Sequence, residues 1–257
     1  MSTIINVDFA RASRSKVARI APAVEQYERP LAEDHSSDPI KDIATIRRIS
    51  SWLIANRKWR DNMLFIVGIN FGLRVSDLLT LRFADLLDDE GRFRESFAIL
   101  EKKTAKTRNV ARNRYIAIND AVMDAVLLYL DHTPGVTLSD YLFRSEGNRG
   151  KNTNQPLHRS TVDRIMRKWQ EELGLSEHLA THSLRKTFGY HQMMQGGNSE
   201  RTLLLLQKMF GHSSATQTMQ YIGLTAEEMV AAYKKLNLGG EDYSIVKTTI
   251  REETVTA

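Results

Sequence analysis

The 257-residue chain contains no cysteine. That excludes disulfides, thiolate metal sites and cysteine nucleophiles, and it fits a cytoplasmic protein. No apolar run approaches the roughly 18 residues of a membrane span. The first residues, MSTIINVDFARASRSK, lack the apolar stretch of a secretory signal. No segment repeats another. Carboxylates do not cluster either, and the acidic "LLDDEG" at 86–91 reads as an exposed turn. Against these absences stands an ordinary hydrophobic fraction of 42%. It suffices for one large domain, or for one domain with a smaller appendage.

The formal net charge is +5, compatible with a polyanion partner. Its arrangement says more than its size. Lys102, Lys103, Lys106, Arg108, Arg112 and Arg114 follow one another over 102–114 with no acid between them. Arg11, Arg14, Lys16 and Arg19 form a second acid-free stretch. Taken alone, either run also fits a solvated face or tail.

Periodicity divides the chain. Residues 1–40 are charged and aperiodic and read as an arm. Ile43, Ile46, Ile49, Trp52 and Leu53 then recur at helical spacing and predict one buried face. Asp61 is a candidate cap for a helix over "MLFIVGINF", apolar nearly all round and so buried. Gly72 stops it, and a short helix follows with Val75, Leu78, Leu79 and Leu81 inward. Over 93–118 the period becomes two, which predicts a pair of strands joined by the basic segment. Helices are expected again at 120–131, 159–173, from a Thr181 cap to about Gln195, from Asn198 or Ser199 to Phe210, from near Ser214, and over 224–237. On the helix from Ser214, Met219 and Ile222 are expected to face the core, with Tyr221 off that face. A strand is expected at 243–250, which must pair with something. The fold class is mostly α with a small antiparallel β-sheet. The expected divisions are an arm over 1–40, a domain over 41–238 and a tail over 239–257.

Certain polar residues interrupt these apolar patterns. Arg74 stands at a helix start. His182 and Arg185 lie at i and i+3 and share a helix face. His212 follows the helix stop at Gly211, and Tyr221 comes nine residues later. Each has an ordinary reading: a surface arginine pairing with Asp77, a capping histidine, a packed aromatic. Together they suit attack on a phosphodiester. The attack builds a second negative charge in a five-coordinate phosphorane, and two guanidinium groups can hold its non-bridging oxygens bidentately. Histidines can bond the same oxygens or carry a proton. A lysine can protonate the leaving oxygen. A tyrosine, with a pKa near 10, becomes a feasible nucleophile among cations. The metal-dependent route would want clustered carboxylates.

The pieces "FGLRVSDLLTLRFADL", "KKTAKTR", "THSLRKTF" and "LLLLQKMFGHSSATQTMQYIGLT", in that order, resemble the tyrosine recombinases, or phage integrases. The resemblance covers roughly 40–237. It implies that Arg74 and Arg185 clamp the scissile phosphate. It makes His182 the acid/base residue and His212 a donor to a phosphate oxygen. Lys103, flanked by Lys102 and Lys106, would reach the leaving 5′-oxygen from the hairpin. Tyr221 would form a 3′-phosphotyrosyl bond, and Asp77 would support the first arginine from behind. Neither metal nor ATP is expected. The partners implied are double-stranded DNA and three further copies in a tetramer on synapsed duplexes, in a bacterial, nucleoid-associated setting, with integration or excision of a mobile element as the task. Lys102, Lys106, Arg108, Arg112, Arg114, Lys186, Arg11, Arg14, Lys16 and Arg19 are the expected DNA contacts. Family members usually carry an N-terminal helical domain that closes the other half of a DNA clamp. Forty residues cannot build one, so the basic arm or an accessory protein is expected to complete the grip. The rival readings are a type IB topoisomerase and a non-catalytic DNA-binding accessory protein.

Overall fold

The computed structural model describes residues 37–100, 113–146 and 154–223, all of them within one unit spanning 35–223. The helices are α1 (Ile43–Ala55), α2 (Trp59–Phe71), α3 (Val75–Leu78), α4 (Phe83–Leu86), α5 (Asp120–Asp131), α6 (Arg159–Leu173), α7 (Thr181–Gln195), α8 (Glu200–Phe210) and α9 (Ala215–Tyr221). The strands β1 (Ser96–Leu100) and β2 (Asn113–Ala117) pair antiparallel, with Phe97 opposite Ile116. That is the mostly helical architecture with a small sheet that the periodicity predicts. The expected helix at 224–237 and strand at 243–250 lie outside the described residues, as does the arm up to residue 36.

Helix α2 is the centre. Met63, Leu64, Phe65, Val67 and Phe71 are all buried on it, and α5 and α7 pack against it. Gly72 ends it with φ +56°, where the Phe188 ring leaves no space for a side chain. A large cluster running from Ile40 to Leu184 forms the main core. A second, smaller cluster joins Phe188, Met193, Leu206, Phe210 and Ile222. On the hairpin, Phe97 and Ile116 point inward while Tyr115 is 76% exposed, as the alternation predicts.

Four local expectations need correction. Ile43 is 48% exposed, because the buried face of α1 narrows to Ile49 and Leu53. Asp61 does not cap α2: the helix begins at Trp59, and Asp61 sits in its first turn, paired with Arg60 at 2.7 Å. Thr181 is already helical. The cap position is Ala180, whose N–H donates to the Ser183 hydroxyl at 3.1 Å. On α9 the inward residues are Thr218 and Ile222, while Met219 is only partly buried.

Residues 37–40, expected as the end of the arm, belong to the folded domain. The Asp38 N–H donates to His178 O and the His178 N–H to the Asp38 carboxylate, each at 2.8 Å. The Ile40 N–H donates to the Thr187 hydroxyl at 2.9 Å, and His191 Nε2 donates to Ile40 O at 3.0 Å. Pro39 lies against Gly223, two residues after Tyr221. This strap therefore ties the front of the domain to the back of α7 and the end of α9.

Candidate active site

Arg185 projects from the second turn of α7 and is 2% exposed. Its Nη1 donates to Gly72 O at 2.8 Å and its Nη2 to Phe210 O at 3.0 Å. Arg74 occupies the cap position of α3 and donates its Nη2 to the same Phe210 carbonyl, also at 3.0 Å. Phe210 is the last residue of α8, and a helix C-terminus presents unpaired carbonyls at the negative end of its dipole. That end holds both guanidinium groups side by side, and the Arg185 guanidinium also lies 4.4 Å from the centroid of the Phe210 ring. Asp77, in the first turn of α3, is buried beside Arg74 in sequence.

Gly211 ends α8 and turns the chain so that His212 and α9 come back over Phe210. The His212 ring centroid is 5.3 Å from that of Phe210 and 5.1 Å from that of Tyr221. His212 Nδ1 lies 3.0 Å from the Thr218 hydroxyl. Tyr221, on the last turn of α9, places its hydroxyl 3.4 Å from His182 Nδ1, within the electrostatic reach of Arg185 and Arg74. Three distant stretches of chain thus bring Arg74, His182, Arg185, His212 and Tyr221 together.

The electrostatics follow from burial beside cations. Burial pushes the Tyr221 hydroxyl above its ordinary value of 10, and the opposing pull of Arg185 and Arg74 does not overcome it. Cations alone therefore do not ionise this tyrosine, and its proton needs an acceptor. His182 is exposed to solvent at one edge of the site, and the partial desolvation of its ring, then Arg159, Lys186 and Arg185, lowers its pKa, against Asp163, which raises it. Burial, then Arg185 and Arg74, lowers His212 to about 4. Both imidazoles are neutral at pH 7, so His182 Nδ1 can accept a proton across the gap to the Tyr221 hydroxyl.

Two expected DNA contacts sit differently. Lys186 is 8% exposed, with its ammonium 5.7 Å from the centroid of the Tyr221 ring, so it faces the site rather than open solvent. It lies one turn from His182 on the buried side of α7, which the charge pattern alone does not reveal. Arg114 is partly buried on β2 and donates to Phe71 O at 2.9 Å, which ties the hairpin to the end of α2. Lys102, Lys103, Lys106, Arg108 and Arg112 lie outside the described residues, as do Arg11, Arg14, Lys16 and Arg19. The sequence reading missed Arg159 and Asp163, which flank His182 electrostatically, and Thr218, which holds His212. Thr218 carried one signal: a polar residue one helical turn before Tyr221, at a position facing the core.

Residues 41–228 match the phage integrase family. The chain is 34% identical over 200 residues to the "Probable integrase/recombinase YoeC" of Bacillus subtilis (strain 168), covering 78% of this chain and 97% of that protein. It is 29% identical over 184 residues to the tyrosine recombinase XerC of Thermodesulfovibrio yellowstonii, covering 68% of this chain and 54% of XerC. It therefore spans about half of that relative. Among solved structures it superposes on the XerA recombinase with a TM-score of 0.56 at 21% identity, over 82% of this chain and 66% of that one. It also superposes on the Tn1549 transposon integrase in complex with circular intermediate DNA, with a TM-score of 0.54 at 19% identity, over 87% and 78% of the two chains. At these identities the structural likeness concerns the fold. No helix among the described residues is long and apolar enough to cross a membrane.

Proposed function

The chain belongs to the phage integrase family, and from that premise we propose that it is a site-specific DNA recombinase whose nucleophile is Tyr221. The observation that carries the reading is the meeting of Arg74 and Arg185 on the Phe210 carbonyl, with the Tyr221 hydroxyl 3.4 Å from His182. A phosphodiester enters beside the two guanidinium groups, which take its non-bridging oxygens. The Tyr221 oxygen attacks phosphorus while its proton passes to His182 Nδ1. The P–O5′ bond breaks, and the leaving oxygen takes a proton from the hairpin lysine, Lys103 by resemblance. His212 donates to a phosphate oxygen. One phosphoester bond is exchanged for another, so the 3′-phosphotyrosyl bond can be attacked by a 5′-hydroxyl of a second duplex without ATP or metal.

The substrate class we propose is double-stranded DNA at the boundary of a mobile element, acted on by a tetramer across two duplexes. The DNA-bound transposon integrase among the structural relatives supports this assignment. The basic arm, or an accessory protein, would close the DNA from the other side. The test is incubation of the full chain with nicked suicide duplexes carrying candidate sites, followed by mass spectrometry of the adduct. Wild type should carry nucleotide on the peptide containing Tyr221. Tyr221→Phe should form at least about 10⁴-fold less adduct while binding DNA normally. Equal adduct from both proteins, or attachment to another residue, rejects the assignment.

A further inference from the structure

His212 has two ring nitrogens, and only the one carrying a proton can donate to an anion. Nδ1 is 3.0 Å from the Thr218 hydroxyl. Thr218 is fully buried, three residues before Tyr221 on α9. Its hydroxyl has one proton and two acceptors within reach, His212 Nδ1 at 3.0 Å and Ser214 O at 3.3 Å. Ser214 O already receives the Thr218 backbone N–H at 3.3 Å. Nδ1 is the closer acceptor, and the carbonyl stays satisfied without the hydroxyl.

On the proposed reading of the site, we propose that Thr218 is a positioning residue: its hydroxyl donates to Nδ1 and thereby holds neutral His212 with its proton on Nε2, ready for a phosphate oxygen. The arrangement lets His212 donate without taking a proton from solvent. The groups facing this imidazole are the Arg185 and Arg74 guanidiniums and the rings of Phe210 and Tyr221. Two of those four are cations, which oppose a third positive charge, so a neutral donor suits the site. The same side chain also couples two catalytic groups. Thr218 and Tyr221 share α9 one turn apart, so the placement of the histidine and that of the nucleophile are set by one short helix.

The test has two arms. In the first, the ring nitrogens of His212 are observed by long-range ¹H–¹⁵N NMR of the full chain at pH 7, assigned with His212→Gln. Wild type and Thr218→Ser should carry the proton on Nε2, and Thr218→Val should lose that preference. A proton on Nδ1 in wild type, or an unchanged pattern in Thr218→Val, overturns the proposal. In the second arm, single-turnover cleavage of the suicide duplex is measured at saturating DNA. Thr218→Val should slow it by about tenfold to a hundredfold, the range that loss of the outer hydrogen-bond partner costs a metal-bound imidazole. DNA affinity should change by less than about twofold, and Thr218→Ser should restore the rate. A slow Thr218→Val whose imidazole pattern matches wild type makes Thr218 merely structural and rejects the proposal. If wild type forms no adduct on any duplex, the recombinase reading falls, while the NMR arm still decides what Thr218 does.

Discussion

The main core and the small cluster carry different parts of the chemistry. The main core surrounds α2 and holds the elements from which Arg74 and the first half of α7 project. The small cluster has five buried side chains among the described residues and seats α9, with Tyr221 packed at its margin. Arg185 lies at the seam, between Leu184 of the first and Phe188 of the second. On the proposed reading, the anion clamp is built on deep packing and the nucleophile on shallow packing. Local opening costs least where few apolar contacts must be broken. The proposed role of Tyr221, bonding to DNA and then being released, would be served by a helix of that kind.

The comparison can be broken at either end. Phe65→Ala strikes the main core and should lower global stability by about 3–5 kcal/mol in urea unfolding. Ile222→Val strikes the small cluster and should cost about 0.5–1.5 kcal/mol, read mainly as faster amide exchange in α9. Equal global effects would mean that the two clusters unfold as one. Arg185→Lys keeps the charge but loses the planar fork that spans Gly72 O and Phe210 O. Cleavage should fall by about 10²- to 10³-fold, with a smaller change in DNA affinity.

Acid should weaken the fold at the small cluster. His212 is held at about 4 when folded against 6.5 when free, and His182 is lowered as well. Between those limits the unfolded chain binds protons that the folded chain refuses, so stability drops as pH falls below about 6.5. The His212 contribution is complete near pH 4, and above pH 6.5 it is flat. Urea midpoints across pH 4–7 should show the slope, and His212→Gln should reduce it.

Much of this was legible from the residues. The all-round apolarity of "MLFIVGINF" predicted the buried α2, and the spacing of His182 and Arg185 placed them on one face. Legibility failed where the deciding neighbour is distant in sequence. Ile43 repeats at helical spacing but is half exposed, since among the described residues the buried face of α1 is Ile49 and Leu53. Lys186 and Arg114 belong to basic patterns, yet Lys186 is buried with its ammonium near the Tyr221 ring, and Arg114 donates to the Phe71 carbonyl. The junction of Arg74 and Arg185 at Phe210 O has no sequence signature, because a backbone carbonyl is present at every residue.

The central claim is that one chain assembles the whole site, its own Tyr221 reaching the phosphate held by its own arginines. Mixing Tyr221→Phe with Arg185→Ala tests it directly, scored as covalent adduct on the suicide duplex. Assembly within one chain predicts no recovery, since neither variant holds a nucleophile and a complete clamp together. Recovery of adduct towards the wild-type level would show the tyrosine acting on a neighbour's phosphate and would contradict the account.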